Sequence, residues 1–236
     1  MLICGLQRLS LLDFPGKLAA TIFTGGCNLR CPFCHNALLV TRVPESVILT
    51  EREVFAFLEK RRGILDGVCI TGGEPLLQND LRDFILGIRK LGFLIKLDTN
   101  GTFPEKLYPL ISDGLIDYVA LDIKNSPEKY PLTVGLPAFD PTPVFQSAAM
   151  LMNGSVPYEF RTTLVRGLHS REDIENIGAL LNGAKNFYLQ NFEDSGDLVG
   201  FADSGAQTGL SGFSAAELEE FKRILEKYAA SVSIRN

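Results

Sequence analysis

Two rhythms of hydrophobic and polar positions alternate along this chain. Short apolar runs bounded by glycine or polar turns read as strands, and apolar positions three and four apart read as helices. The run LAATIFT, Leu18–Thr24, predicts a first strand. Thr50 with Glu53 three residues on has the form of a capping box and predicts a helix to about Arg62. GVCIT, Gly67–Thr71, predicts a second strand. Asn79 is placed to cap a helix whose apolar positions Leu81, Phe84, Ile85, Ile88 and Leu91 fall at helical spacing, with Gly92 as its stop.

The alternation continues. FLIKLD (Phe93–Asp98) reads as a strand and Pro104–Ser112 as a helix; YVALDIK (Tyr118–Lys124) and Thr142–Met152 repeat the pair. YEFRTTLV (Tyr158–Val165) is followed by a helix that Ser170 caps and that ends near Asn182–Gly183, and NFYLQ (Asn186–Gln190) is a sixth strand. Residues 192–212 are polar and glycine-rich and read as a long loop; Ser214 and Glu217 then form another capping box, opening a helix to about Tyr228 before a short strand, SVSIR. Strands alternating with helices imply a parallel α/β sheet. Six such units predict an incomplete (β/α)6 TIM-like barrel with outer helices, in a single domain over residues 1–236.

Composition narrows the function classes. Of 236 residues 46% are hydrophobic, and no apolar run approaches the length of a membrane span. The start, MLICGLQRLSLLDFPGK, lacks a cationic leader, a continuous apolar core and a small-residue cleavage site, so a cytoplasmic location with reduced thiols is expected. A formal charge of −5 without a long basic block disfavours nucleic acid as the main partner.

The chemistry concentrates in CNLRCPFCHN, which places Cys27, Cys31 and Cys34 within eight residues, while Cys4 and Cys69 stand apart. CPFC resembles half a zinc ribbon, but a structural zinc site needs four ligands and the chain has no second C-x-x-C. CPFCH also matches the covalent haem pattern, and C-x-x-C alone matches a redox pair; both leave Cys27 without a role. A [4Fe–4S] cluster uses all three thiols and leaves one iron open to a chelating small molecule. The other loaded stretches fall near the C-terminal ends of the predicted strands, where βα barrels carry their function. GGEP follows the second strand, Asp98 ends the third, Asp122 and Lys124 end the fourth, Arg161 lies in the fifth and Asn191 follows the sixth.

CNLRCPFC after one strand and GGEP after the next resemble the radical S-adenosylmethionine superfamily. DFPGK, CHN, LDTNG and LDIK together resemble its glycyl-radical enzyme activases, and the opening and closing segments are most similar to the anaerobic ribonucleotide reductase activating group. The resemblance implies that S-adenosyl-L-methionine chelates the open iron of a [4Fe–4S] cluster held by Cys27, Cys31 and Cys34. It implies reductive cleavage of that cofactor and abstraction of a glycine hydrogen from a partner enzyme. It implies cofactor contacts from Phe33 to the adenine, from Gly72, Gly73 and Glu74 to the amino end, and from Lys124 and Arg161 to the carboxylate. It further implies a monovalent cation at Asp98 and Asp122 with the backbone of Thr99, and a catalytic Asp13 facing the partner's glycine loop. Where a related activase carries a histidine after the sixth strand this chain has Phe192, so nucleoside contact is assigned to Asn191 or Phe192. The electron donor implied is a flavodoxin or ferredoxin. Two other activities compete: pyruvate formate-lyase activation, and small-molecule chemistry of the deazapurine synthase kind. The non-enzyme reading is an electron-transfer or zinc module, which leaves GGEP and both aspartates unexplained.

Overall fold

A computed structural model describes residues 1–41, 43, 48–194, 196, 198–200 and 209–235. The chain forms two compact units that interleave in sequence: Met1–Asn28, Leu38–Thr99 and Glu105–Ala120 make the first, and Leu29–Ala37, Asn100–Pro104 and Leu121–Asn236 the second. Strands succeed one another in chain order throughout.

The first unit holds β1 (Ile3–Ser10), β2 (Ala19–Thr24), β3 (Gly67–Gly72), β4 (Leu94–Thr99) and the start of β5 (Tyr118–Asp122). β2, β3 and β4 are parallel, and β1 pairs antiparallel with β2 through a register broken at Ile3/Gly5 and Gln7/Ser10. β1 is a correction to the sequence reading, which assigned no strand before Leu18. Helix α1 (Glu51–Glu59) starts at a complete Thr50–Glu53 capping box, as expected. Helix α2 (Leu81–Lys90) is capped at Asp80 rather than Asn79 and without a side-chain cap bond, because the Asp80 carboxylate is held by the amino group of Met1. Helix α3 occupies Pro104–Ser112. Paired residues of neighbouring strands share a face, so the register Thr21–Cys69–Lys96 places these three in one row across β2, β3 and β4.

In the second unit, the end of β5 is followed by β6 (Tyr158–Leu164), β7 (Ala184–Asn191) and β8 (Ala229–Arg235), with β6, β7 and β8 parallel. Helices α4 (Thr142–Asn153), α5 (Arg171–Leu180) and α6 (Ala215–Leu225) follow their strands as the alternation requires, and α6 lies on β7 and β8 beside α5. Capping boxes open α5 at Ser170 with Asp173 and α6 at Ser214 with Glu217. Phe160, Phe187 and Val232 are buried on one face. On the other, the fully buried Glu159 receives both Arg235 nitrogens at 2.8 and 2.9 Å, and that guanidinium lies 3.5 Å from the centre of the Tyr188 ring. Of the loop expected over 192–212, residues 201–208 lie outside the described residues, and Val199 and Gly200 are helical.

Candidate active site

In the first unit the site is built around a glycine pair. Gly72 has φ +109°, and a Cβ there would lie 2.5 Å from the Thr24 nitrogen. A Cβ on Gly73 would lie 1.9 Å from the Gly26 carbonyl oxygen. Gly73 N–H donates to the Thr24 carbonyl and Glu74 N–H to that of Gly26, each at 2.8 Å. GGEP therefore supports the backbone that leads into Cys27, and the glycines are required by that close approach within the chain. The Glu74 carboxylate, 0% exposed, accepts from the Leu76 N–H at 3.0 Å and from the Thr99 hydroxyl at 2.8 Å. Glu74 and Thr99, named separately from the sequence, are direct partners.

Asp98 lies one strand repeat beyond Lys96 on the same face of β4. Lys96 is 2% exposed; its ammonium is bonded to the Asp98 carboxylate and stands 3.7 Å from the Cys69 sulfur. Sequence reasoning passed over Lys96. The i, i+2 spacing of a lysine and an aspartate in a strand was the signal that could have found it. Asp13 lies in the β1–β2 connection, where its carboxylate accepts from the Thr21 hydroxyl at 2.5 Å and its N–H donates to the Ser10 hydroxyl oxygen at 3.1 Å. It thus meets the Thr21–Cys69–Lys96 row at the N-terminal side of β2, away from the end of β2 that leads to Cys27.

The second unit carries the rest of the cysteine loop. Cys34 N–H closes a turn on the Cys31 carbonyl at 3.0 Å, and Val199 and Gly200 donate to the Cys34 and Pro32 carbonyls at 3.0 and 3.1 Å. Phe33 is buried, and the His35 ring lies 5.5 Å from that of Phe192. Asp122 is a hub: Lys124 Nζ donates to one oxygen and Arg161 Nε to the other, each at 2.9 Å. Burial pushes the Asp122 carboxyl up, but Arg161 and Lys124 outweigh it and hold it far below the usual carboxylate range. Burial likewise disfavours the Lys124 ammonium; Asp122 and then the Cys31 sulfur outweigh it and push Lys124 up.

Two residues behind this hub were not foreseen. Tyr130, fully buried, accepts the Lys124 N–H at 3.2 Å. His169 lies 2.7 Å from the Lys124 carbonyl through Nε2, while its Nδ1 meets the Val165 backbone, 3.1 Å from the N–H and 3.3 Å from the carbonyl. Asn191 is committed differently from its expected nucleoside contact: its amide donates to the Phe213 carbonyl at 2.9 Å and accepts the Phe213 N–H at 2.8 Å.

None of the five cysteines forms a disulfide. Among the described residues no three His, Cys, Asp or Glu side chains converge as a single ion would demand.

Residues 21–180 match the profile of the Radical SAM superfamily. Over 99% of the chain and 95% of the relative, the sequence is 33% identical to a provisionally named glycyl-radical enzyme activating enzyme of Methanocaldococcus jannaschii. It is 30% identical to the pyruvate formate-lyase-activating enzyme of Listeria monocytogenes over 67% of this chain and 66% of that one. Among solved structures, Streptococcus suis SuiB bound to S-adenosylmethionine superposes with a TM-score of 0.67 at 15% identity, over 89% of this chain. The chain spans about half the length of SuiB, 48%.

Proposed function

Because the chain belongs to the radical S-adenosylmethionine superfamily, we propose that it is a glycyl-radical enzyme activase. In this reading Cys27, Cys31 and Cys34 hold a [4Fe–4S] cluster, S-adenosyl-L-methionine binds its open iron, and reductive cleavage leads to a glycyl radical on a partner protein. The partner is anaerobic ribonucleotide reductase and the electron donor a flavodoxin or ferredoxin.

The observation that carries the reading is the number of thiols that remain for a metal. Cys69 is fully buried between Lys96 and Asp98, and Cys4 is buried in the core of the first unit. Three thiols are then left in the loop, which suits a cluster with one open iron. When bound, the cluster supplies one electron to the cofactor's sulfonium. The chain's own residues orient that cofactor: in the first unit the buried Glu74 carboxylate suits an ammonium group, and in the second Lys124 and Arg161 present cationic donors suited to a carboxylate. Tyr130 and His169 fix the backbone of Lys124 from both sides and so hold that charge in place.

A protein substrate is supported by the β1–β2 connection. Leu11 and Leu12 are 69 and 85% exposed beside Asp13, and Leu9 at the end of β1 is 55% exposed, an apolar group that water alone does not favour. The test is anaerobic reconstitution, reduction and electron paramagnetic resonance with and without S-adenosyl-L-methionine. A reduced cluster signal altered by the cofactor, with 5′-deoxyadenosine formed, is expected, followed by a glycyl radical signal once the partner is added. Cys31→Ser should abolish cofactor cleavage; cleavage at the wild-type rate would remove the cluster assignment. Cofactor cleavage without a glycyl radical on any partner would remove the activase assignment and keep the superfamily chemistry.

A further inference from the structure

The resemblance places a monovalent cation at Asp98 and Asp122, and the side chains now described do not fit one. In the first unit, Asp98 is already bonded to the Lys96 ammonium. That lysine is not an exchangeable counter-ion. It is 2% exposed, lies in the Thr21–Cys69–Lys96 row, and its stem emerges from β4 two residues before the carboxylate it serves. A buried charge needs a partner, and the carboxylate and the ammonium each satisfy that need in the other. In the second unit, both Asp122 oxygens are occupied by cationic donors, Lys124 at 2.9 Å and Arg161 at 2.9 Å. A metal ion approaching either Asp122 oxygen would have to displace a cationic donor already held there.

We propose that this protein carries its cations covalently, Lys96 at Asp98 and Lys124 with Arg161 at Asp122, and therefore uses its cofactor without sodium or potassium. An ammonium supplies the same unit charge as an alkali ion to a carboxylate oxygen, with up to three donors whose direction the fold sets. Lys96 is thus a positioning residue. It holds Asp98 neutralised whatever the salt, where an alkali ion would do so only when bound. The inference rests on the activase reading for the identity of the cofactor, but the cation chemistry stands on the side chains alone.

The reconstituted enzyme should be assayed in tetramethylammonium as the sole salt cation and in potassium at the same ionic strength. Rates of 5′-deoxyadenosine formation agreeing within about twofold are expected. A loss of about tenfold or more in tetramethylammonium, restored by potassium, would overturn the proposal. Sodium-23 relaxation on the same protein, with and without S-adenosyl-L-methionine, gives a readout independent of turnover. No saturable broadening is expected, and broadening competed away by potassium would also overturn it. If the cofactor is cleaved in neither salt while sodium remains unbound, the functional reading fails and the cation inference survives. Lys96→Met removes the ammonium and leaves Asp98, so it should acquire saturable sodium binding. A folded Lys96→Met protein that binds no sodium would show that the ammonium does not stand in for a metal ion. Should that variant not fold, the wild-type sodium measurement still decides.

Discussion

Glu74 has two duties at once. Its carboxylate caps the turn Pro75–Leu77 and takes the Thr99 hydroxyl, and it is also the group proposed to meet the cofactor's ammonium. Glu74→Ala leaves the Leu76 N–H and the Thr99 hydroxyl without this acceptor in a fully buried place, which should cost about 1–3 kcal/mol in urea unfolding. Glu74→Gln keeps an acceptor oxygen and removes only the charge. Its unfolding midpoint should stay near wild type while cofactor affinity falls by about tenfold or more, the worth of one charge-assisted bond. Unchanged affinity in Glu74→Gln, measured by titration, would reduce Glu74 to a capping role. At this scale the sequence proposes the site residues and leaves most of their partners unread. Cys27, Cys31, Cys34 and Glu74 announce themselves because their spacing is dictated by chemistry. The Lys96–Asp98 and Arg161–Asp122 pairs depend on which faces the strands present and which strands adjoin. The bonds of Asn191 were hidden for the same reason: a lone amide gives no sign that it will bind backbone from a segment 22 residues on.

Elements were legible where their signals are local. Thr50, Ser170 and Ser214 each cap the helix expected of them, since a capping box involves only residues three apart. β1 was not legible, because ICGLQRLS is buried at its ends and exposed between, with no strict alternation, and only its pairing with β2 makes it a strand. The link between β6 and α5 carries a pH dependence that also comes from tertiary structure. Burial holds the His169 imidazole below its ordinary value and outweighs its backbone bonds to Lys124 and Val165, which act in the opposite direction. Below about pH 6.5 the unfolded chain takes up a proton that the native His169 refuses, so stability falls as pH is lowered. The slope can reach about 1.4 kcal/mol per pH unit while the native ring stays neutral. Asp122 and Asp173 are both held below the carboxylate range, so the stability they provide is lost only in more acidic solution. Urea midpoints of the cluster-free chain should drop between pH 7.5 and 5.5, and His169→Gln should flatten that change. An equally steep change in the variant would place the titration elsewhere.

At the scale of the whole molecule, the strands follow chain order, each strand beside the one that precedes it in sequence. That is why the α/β class could be read from alternation alone, whereas the division into two compact units, which depends on how distant segments cluster, could not. An activase must do something an enzyme of small molecules need not: receive a segment of another folded protein. Leu11 and Leu12 are among the most exposed large apolar side chains described, and they precede Asp13 directly in a turn anchored by the Ser10 hydroxyl. Aspartates at both positions, Leu11→Asp with Leu12→Asp, change no buried contact, so stability should move by no more than about 0.5 kcal/mol per site. Cofactor cleavage in the absence of partner should be unaffected, because neither side chain belongs to the cofactor site. Installation of the glycyl radical should lose efficiency by about tenfold or more through a raised KM for the partner, with little change in kcat. Equal loss of both activities would mean the turn supports the fold, and no loss of either would move the docking surface elsewhere.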